Sequence, residues 1–170
     1  LGMMAEMRDD GGVPALLDAA ADPDEGVQRA ALAALRTLAD PRAGRRFRQL
    51  VRGNGRGGAV KIAAAGLGRI GTASDRALLR ALLDNPDEGV RVHAAGALAM
   101  LGSEEGEAVL LTAVDGDNPI AQKNATYALG FVRTPAARER LQRILDDPAG
   151  EWKSYALIAL AQQRRATASE

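Results

Sequence analysis

The feature that most constrains this chain is its self-similarity. The segments "RAALAALRTLAD" (29–40), "KIAAAGLGRIGT" (61–72), "VHAAGALAMLGS" (92–103), "KNATYALGFVRT" (123–134) and "SYALIALAQQRR" (154–165) align without gaps. One column reads Ala31, Ala63, Ala94, Ala125 and Ala156, and another reads Leu35, Leu67, Leu98, Leu129 and Leu160. Between them run Ala34, Gly66, Ala97, Ala128 and Ala159. The offsets are 32, 31, 31 and 31 residues. A period of this length marks stacked repeats, each burying its apolar face only against its neighbours.

Within a unit the apolar period is helical. Val90, Ala94, Ala97, Leu98 and Leu101 fall on one stripe of a helix. A shorter amphipathic segment precedes each such helix: "VPALLDAAA", "GRRFRQLV", "DRALLRALLD", "EAVLLTAV" and "ARERLQRILD". The connections repeat as well, with "DPDEGV" (22–27) returning as "NPDEGV" (85–90). This places Asp22 and Asn85 as caps of the second helices, with Pro23 and Pro86 at the first helical position and Glu25 and Glu88 three residues past the cap. Asn118-Pro119 and Asp147-Pro148 repeat the cap-plus-proline step. No segment alternates with the period of two that a half-buried strand requires.

The expected fold is therefore all-α, a solenoid of about five helix pairs forming one domain over 1–170. The repeats fall near 11–41, 42–73, 74–103, 104–134 and 135–165, with a half repeat at 1–10 and a tail at 166–170. The half repeat rests on Met4 and Met7 aligning with Leu35 and Leu38. At the other end Gln163 replaces the apolar Ile70, Leu101 and Val132, which suits a terminal helix facing solvent. Trp152 falls in the core column of Val90.

The stretch "DNPDEGVRVHAAGALAMLGSEEGEAVLLTAVDGD" (84–117) carries a capped second helix, a small-residue core, a Leu-Gly ending and the next first helix. In this it resembles the HEAT-repeat superfamily, in particular the short bacterial form of the bilin-lyase type. The resemblance implies a right-handed superhelix whose second helices line the concave side. It implies little about activity, because the fold hosts scaffolds, adaptors and a few enzymes. HEAT-type hydroxylases hold iron with several His-Glu pairs, whereas the single histidine here, His93, is followed by Ala94. Neither the chromophore site of a bilin lyase nor the aromatic and acidic set of the HEAT-like alkylpurine glycosylases can be matched in this sequence.

One motif points elsewhere on first inspection. "RGNGRGG" (52–58) satisfies G-x-G-x-x-G, which binds a pyrophosphate when it joins a strand to a helix. Shifted by 32 residues it lands on "DNPDEG" (84–89), so it is the turn between two helices of the second repeat, lacking the usual cap and proline. Other catalytic constellations are absent from the pattern. One histidine cannot build a His-rich metal site, and on its helix it falls on the flank toward a neighbouring repeat, as a structural residue. The paired carboxylates sit in turns or first helical turns, where capping and the helix dipole account for them. "DGDN" (115–118) lacks the remaining ligands of a calcium loop. The sequence predicts a non-enzyme without cofactor or metal.

Composition narrows the partner. The chain has no cysteine, which fits a reducing, cytoplasmic setting. It has no apolar run long enough to span a membrane, and "LGMMAEMRDDGG" does not read as a signal peptide. Lys and Arg number 22 and Asp and Glu 22, so no global field draws it to nucleic acid or lipid. The charges are nevertheless segregated. Eight cations and no acid lie between Pro41 and Ser74, and eight acids with one cation, Arg91, lie between Asp84 and Asn118.

Two candidate surfaces follow. On the second helices, the face opposite the core stripe holds Val92, Ala95, Gly96 and Ala99 in the middle repeat, with Met100 on a flank. Small residues there leave room for a ligand, and larger ones stand around it. Arg29, Lys61, Arg69, Met100, Lys123, Tyr127, Phe131 and Ile158 are the candidate partner-binding residues, suited to a protein or peptide with an apolar anchor and acidic flanks. The alternative is a nucleic acid or other polyanion bound by the Arg42–Arg69 region, through Arg45, Arg48 and Arg52, which share a helix face, and Arg56. Head-to-tail contact between a basic and an acidic repeat of two copies is a further reading of the same asymmetry.

Overall fold

A computed structural model describes residues 12–53, 57–148 and 150–167. The proposed half repeat at 1–10, with Met4 and Met7, and Arg56 of the glycine turn lie outside the described residues. Those described form ten α-helices in five consecutive pairs, with three short 3-10 segments and no strand. The first pair is α1 (Gly12–Ala19) and α2 (Glu25–Leu38), and the second is α3 (Gly44–Arg52) and α4 (Gly58–Ile70). The third is α5 (Arg76–Arg80) and α6 (Glu88–Met100), and the fourth α7 (Glu107–Val114) and α8 (Pro119–Ala128), which tightens into 3-10 turns over Leu129–Phe131. The last is α9 (Pro135–Asp146) and α10 (Lys153–Thr167).

The second helices pack side by side in chain order, α2 on α4, α4 on α6, α6 on α8 and α8 on α10. The first helices form a second layer, in which α3 packs on α5 and α7 on α9. The repeating columns explain the layering. Ala63, Ala94, Ala125 and Ala156 are all fully buried, as are Leu35, Leu67, Leu98 and Leu129, so small and large residues interdigitate between the layers. A glycine brings α4 and α6 especially close, since a Cβ on Gly68 would lie 2.8 Å from the Cα of Ala97.

Helix α6 joins two apolar clusters. Val90, Ala94, Ala97 and Leu98 belong to the cluster of the first three repeats. Val92, Ala95 and Ala99 belong to that of the last two. Of the positions expected to face a groove, Ala95 is instead packed beneath Gly106, while Val92 and Ala99, though buried, reach the edges of the hollows described below. In the middle of a stack a second helix has neighbours on both sides, and only a narrow stripe of it escapes packing.

The helix starts also differ in detail. The caps of α2 and α6 are Asp24 and Asp87, two residues later than expected. Asp24 Oδ1 accepts from the amides of Gly26 and Val27, at 2.8 and 2.9 Å. Asp22 and Asn85 instead accept from the amides of Asp24 and Asp87, folding the proline turn that leads into the cap. Asn118 caps α8 with Pro119 behind it, as expected, but α10 starts only at Lys153, so Pro148 is no part of it. The glycine turn joins α3 to α4, and Gly57, with φ of 83°, precedes α4 without a side-chain cap. A helix rather than a strand enters it, which excludes a dinucleotide loop.

Gln163 is the clearest reversal. It is buried, with 3% exposure, rather than facing solvent. Its amide donates to the carbonyls of Leu129 and Val132 at 3.0 and 2.7 Å, satisfying the frayed C-terminal end of the α8 unit.

Candidate interaction groove

On the second helices the positions i, i+3 and i+7 face the same side: His93, Gly96 and Met100 on α6, with Gly96 buried between half-buried neighbours, and Asn124, Tyr127 and Phe131 on α8 and the 3-10 turns that end it. These six residues line two concavities that run across the second-helix layer. The first, of about 270 Å³, is bounded by Arg36, Thr37, Ala65, Arg69, His93, Gly96, Met100, Asn124 and Tyr127. The second, of about 620 Å³, is bounded by Met100, Ser103, Glu104, Phe131, Arg133, Gln162 and Arg165.

One repeat column connects them. Thr37, Arg69 and Met100 line the first concavity, and Met100, Phe131 and Gln162 line the second. These five residues occupy equivalent positions in the five repeats. Stacking identical units therefore sets one side chain per repeat along a single lane. Tyr127 and Phe131, one turn apart, meet edge to face with centroids 5.6 Å apart and form an aromatic ridge between the two hollows. Both rings are half-buried.

The floor of the first hollow is set by Gly96, the smallest residue of a column that otherwise reads Ala33, Ala65, Tyr127 and Ile158. His93 stands beside it. Its Nδ1 lies 2.7 Å from the carbonyl of Gly89, which can only accept, so Nδ1 carries the proton. Burial lowers the His93 pKa below the ordinary imidazole value; the Gly89 bond opposes this and the charges of Arg36 and Lys61 add to it. His93 thus lines the groove on a flank where Arg36 and Lys61 of the preceding repeats act on it.

The sequence-derived residues divide. Arg69, Met100, Tyr127 and Phe131 come together along the lane. Lys61 is tied to Asp87 at 2.9 Å, and the Arg29 side chain lies against the start of α4, its Cδ near Gly58. Lys123 is half-buried and Ile158 is 48% exposed, and neither lines the two hollows. Thr37, His93, Asn124 and Gln162 were not among the candidates. Thr37 and Gln162 continue the column of Arg69, Met100 and Phe131, so their signal was present in the sequence; His93 and Asn124 share a column with each other but with no candidate, and nothing in the pattern pointed to them.

Four of the eight cations of the basic region, Arg42, Arg46, Arg48 and Lys61, are engaged within the molecule. Arg48 pairs in two-point fashion with Asp75 of the next repeat, at 2.6 and 2.9 Å. Arg46 donates to the carbonyl of Ala20 in the preceding repeat, and Arg42 binds Asp40. Arg80, one repeat on from Arg48, likewise pairs with Glu105, and Arg140, in the column of Arg46, reaches back to Asp115. The charge segregation seen in the sequence is thus in part a series of inter-repeat clamps. Arg45 and Arg52 remain exposed on α3, Arg48 between them is bound to Asp75, and Arg56 lies outside the described residues. Among the described residues no group of three or more His, Cys, Asp or Glu is placed to hold a metal. No described helix is long and apolar enough to cross a membrane.

Paired helices stacked in two layers define an α-solenoid. The chain belongs to the HEAT-repeat family: the family's sequence model matches residues 59–119 and 76–161, together more than half of the chain. Residues 5–40 match the model of the Armadillo/beta-catenin-like repeat, a related stacked-helix unit. No curated protein matches the chain. Repeats of these two kinds commonly serve as protein-interaction scaffolds.

Proposed function

We propose that this chain is a non-catalytic interaction module that holds a segment of a protein partner along the second-helix lane. The observation that carries this reading is the single column Thr37, Arg69, Met100, Phe131 and Gln162, which lines both hollows with one residue from each repeat. A polypeptide also advances by regular steps, so a lane of regularly spaced contacts suits an extended or helical peptide. Met, Tyr and Phe at its centre supply adaptable and aromatic anchor contacts of the kind that dominate interface energetics.

The test is a selection of displayed peptides on the intact chain, repeated on the Tyr127→Ala/Phe131→Ala double variant. Selected peptides should lose about 2 kcal/mol or more of affinity for the variant. Since both rings are half-buried, the variant should keep its helical signal and unfold cooperatively, unlike a truncation in the core. Equal affinity for both proteins, or no enrichment at all, would remove the lane from consideration.

A polyanion reading retains Arg45 and Arg52, which are exposed, while Arg48 is committed to Asp75. It predicts nucleic-acid binding that falls with salt at about −0.7 to −0.9 per phosphate contacted and that charge reversal at Arg45 and Arg52 abolishes. No binding at about 50 mM salt would dismiss it. The bilin-lyase form of the repeat, head-to-tail association and a cytoplasmic location likewise remain proposals from the sequence.

A further inference from the structure

The first hollow has a chemical asymmetry that narrows what it can hold. Its lining contains two cations, Arg36 and Arg69, and no carboxylate. Neither guanidinium makes an ion pair among the described residues, in contrast to Arg42, Arg48 and Lys61 nearby, each of which is paired with an acid. The second hollow differs, because Glu104 lines it together with Arg133 and Arg165. Apolar surface is concentrated at the floor of the first, where Ala65, Gly96, Ala97, Met100 and Ala128 meet. An apolar floor with two cations at the rim is complementary to a group that is itself apolar at one end and anionic at the other.

We propose that the first hollow receives an apolar side chain of the partner peptide with a carboxylate close beside it, the apolar group over Gly96 and the carboxylate between Arg36 and Arg69. This rests on the reading of the lane as a peptide site and adds a direction to it, since the acid lies toward the first repeats and the rest of the segment runs toward Phe131 and Gln162. Gly96 is central because it forms the floor without a side chain; a Cβ there would press on the methyl of Ala128 at 3.1 Å, a tight contact, so the glycine also lets α6 and α8 approach.

The same arrangement couples binding to pH. With Nδ1 committed to Gly89, Nε2 is the nitrogen of His93 left to face a ligand. The charged groups around the ring are Arg36 from α2, Lys61 and Arg69 from α4, and Asp87 at the start of its own helix, with the Tyr127 phenol and the Asn124 amide from α8. The net local charge is positive, which favours the neutral ring in the free protein. A bound carboxylate favours the imidazolium, so binding takes up a proton. Affinity should accordingly rise as pH falls through the interval between the free and bound pKa values, and be flat above it.

The experiment measures fluorescence anisotropy of short labelled peptides on the intact chain. Each carries one phenylalanine or leucine, with either glutamate or glutamine at a set spacing from it. Glutamate peptides should bind about tenfold more tightly than their glutamine twins at the best spacing. The Arg36→Gln/Arg69→Gln variant should abolish that difference while still binding both. Ala65→Leu, which enlarges a lining residue of the hollow without changing charge, should weaken both members of a pair. Between about pH 7.5 and about pH 5.5 the glutamate peptide should tighten on the wild type and not on His93→Gln. Equal binding of the twins, or discrimination that survives loss of both arginines, overturns the proposal while leaving the lane intact. Binding indifferent to Ala65→Leu but lost in Tyr127→Ala/Phe131→Ala places the anchor in the second hollow and also overturns it. Absence of binding by every peptide rejects the lane together with the proposal. Thermal melts of each variant separate a blocked site from a damaged fold, and the arginine pair decides the matter if Ala65→Leu does not fold.

Discussion

The ring of Phe47 occupies the space that a side chain on Gly66 would need: a Cβ built on Gly66 falls 2.4 Å from the ring edge. Across the repeats the pair reads Leu16 with Ala34, Phe47 with Gly66, Leu79 with Ala97, Leu110 with Ala128 and Leu141 with Ala159. The second repeat has exchanged leucine and alanine for a larger and a smaller residue, conserving the volume between its two helices. Gly66→Ala should therefore destabilise by about 1–3 kcal/mol through overpacking, although alanine is the better helix former. Phe47→Leu should also destabilise, by opening a cavity. The double change recreates the leucine–alanine pair and should cost less than the sum, a coupling that denaturant melts of the four proteins would measure.

Gln163 offers a test of the buried terminal amide. Its column holds Ile70, Leu101 and Val132 elsewhere, so repeat consensus favours an aliphatic residue. The structure predicts the opposite of a consensus gain. Gln163→Leu removes the side-chain donor from the carbonyl of Val132 and leaves that of Leu129 with only the Val132 amide, and should lower stability by about 1–3 kcal/mol. An increase in the melting midpoint would show that these carbonyls find water instead.

The Arg48–Asp75 clamp makes stability depend on pH. The Arg48 hydrogen bonds, supported by the amide of Thr72 at 3.0 Å, hold the Asp75 carboxyl below its ordinary pKa against the effect of burial. A depressed carboxylate pKa contributes stability that is present above the unfolded value of about 3.9 and lost as pH falls through the folded value. Asp75→Asn should cost about 2 kcal/mol near neutrality, where it leaves Arg48 without its counter-charge. The gap between variant and wild type should close below about pH 3.9 in urea titrations. A constant gap at all pH values would mean that shape rather than charge sets the contribution.

Helix capping gives a local check. Asp24 accepts two amide hydrogen bonds at the start of α2, whereas Asp22 accepts one in the turn before it. Asp24→Ala should cost about 1 kcal/mol and Asp22→Ala about half of that. The reverse order in thermal melts would restore the earlier residue as the cap.

The sequence by itself determined the repeat, the pairing of helices and the identity of the small and large columns between the layers. These are legible because a stack reuses one local solution, and each column of Ala or Leu states the same burial several times. It also named the central residues of the lane, Arg69, Met100, Tyr127 and Phe131. The tertiary structure decided which face of each second helix stays open. A hydrophobic stripe on one helix reveals the core beneath it, but a residue as small as Ala95 reads equally as groove floor or as close packing against the next repeat. Only the neighbouring helix resolves that choice. It likewise decided the fate of the charges. Arg48 and Asp75 are 27 residues apart, and nothing local distinguishes an arginine that will clamp two repeats from one, such as Arg45, left in solvent. Gln163 turned inward for the same physical reason: the carbonyls it serves belong to another repeat and exist as acceptors only once the stack has formed.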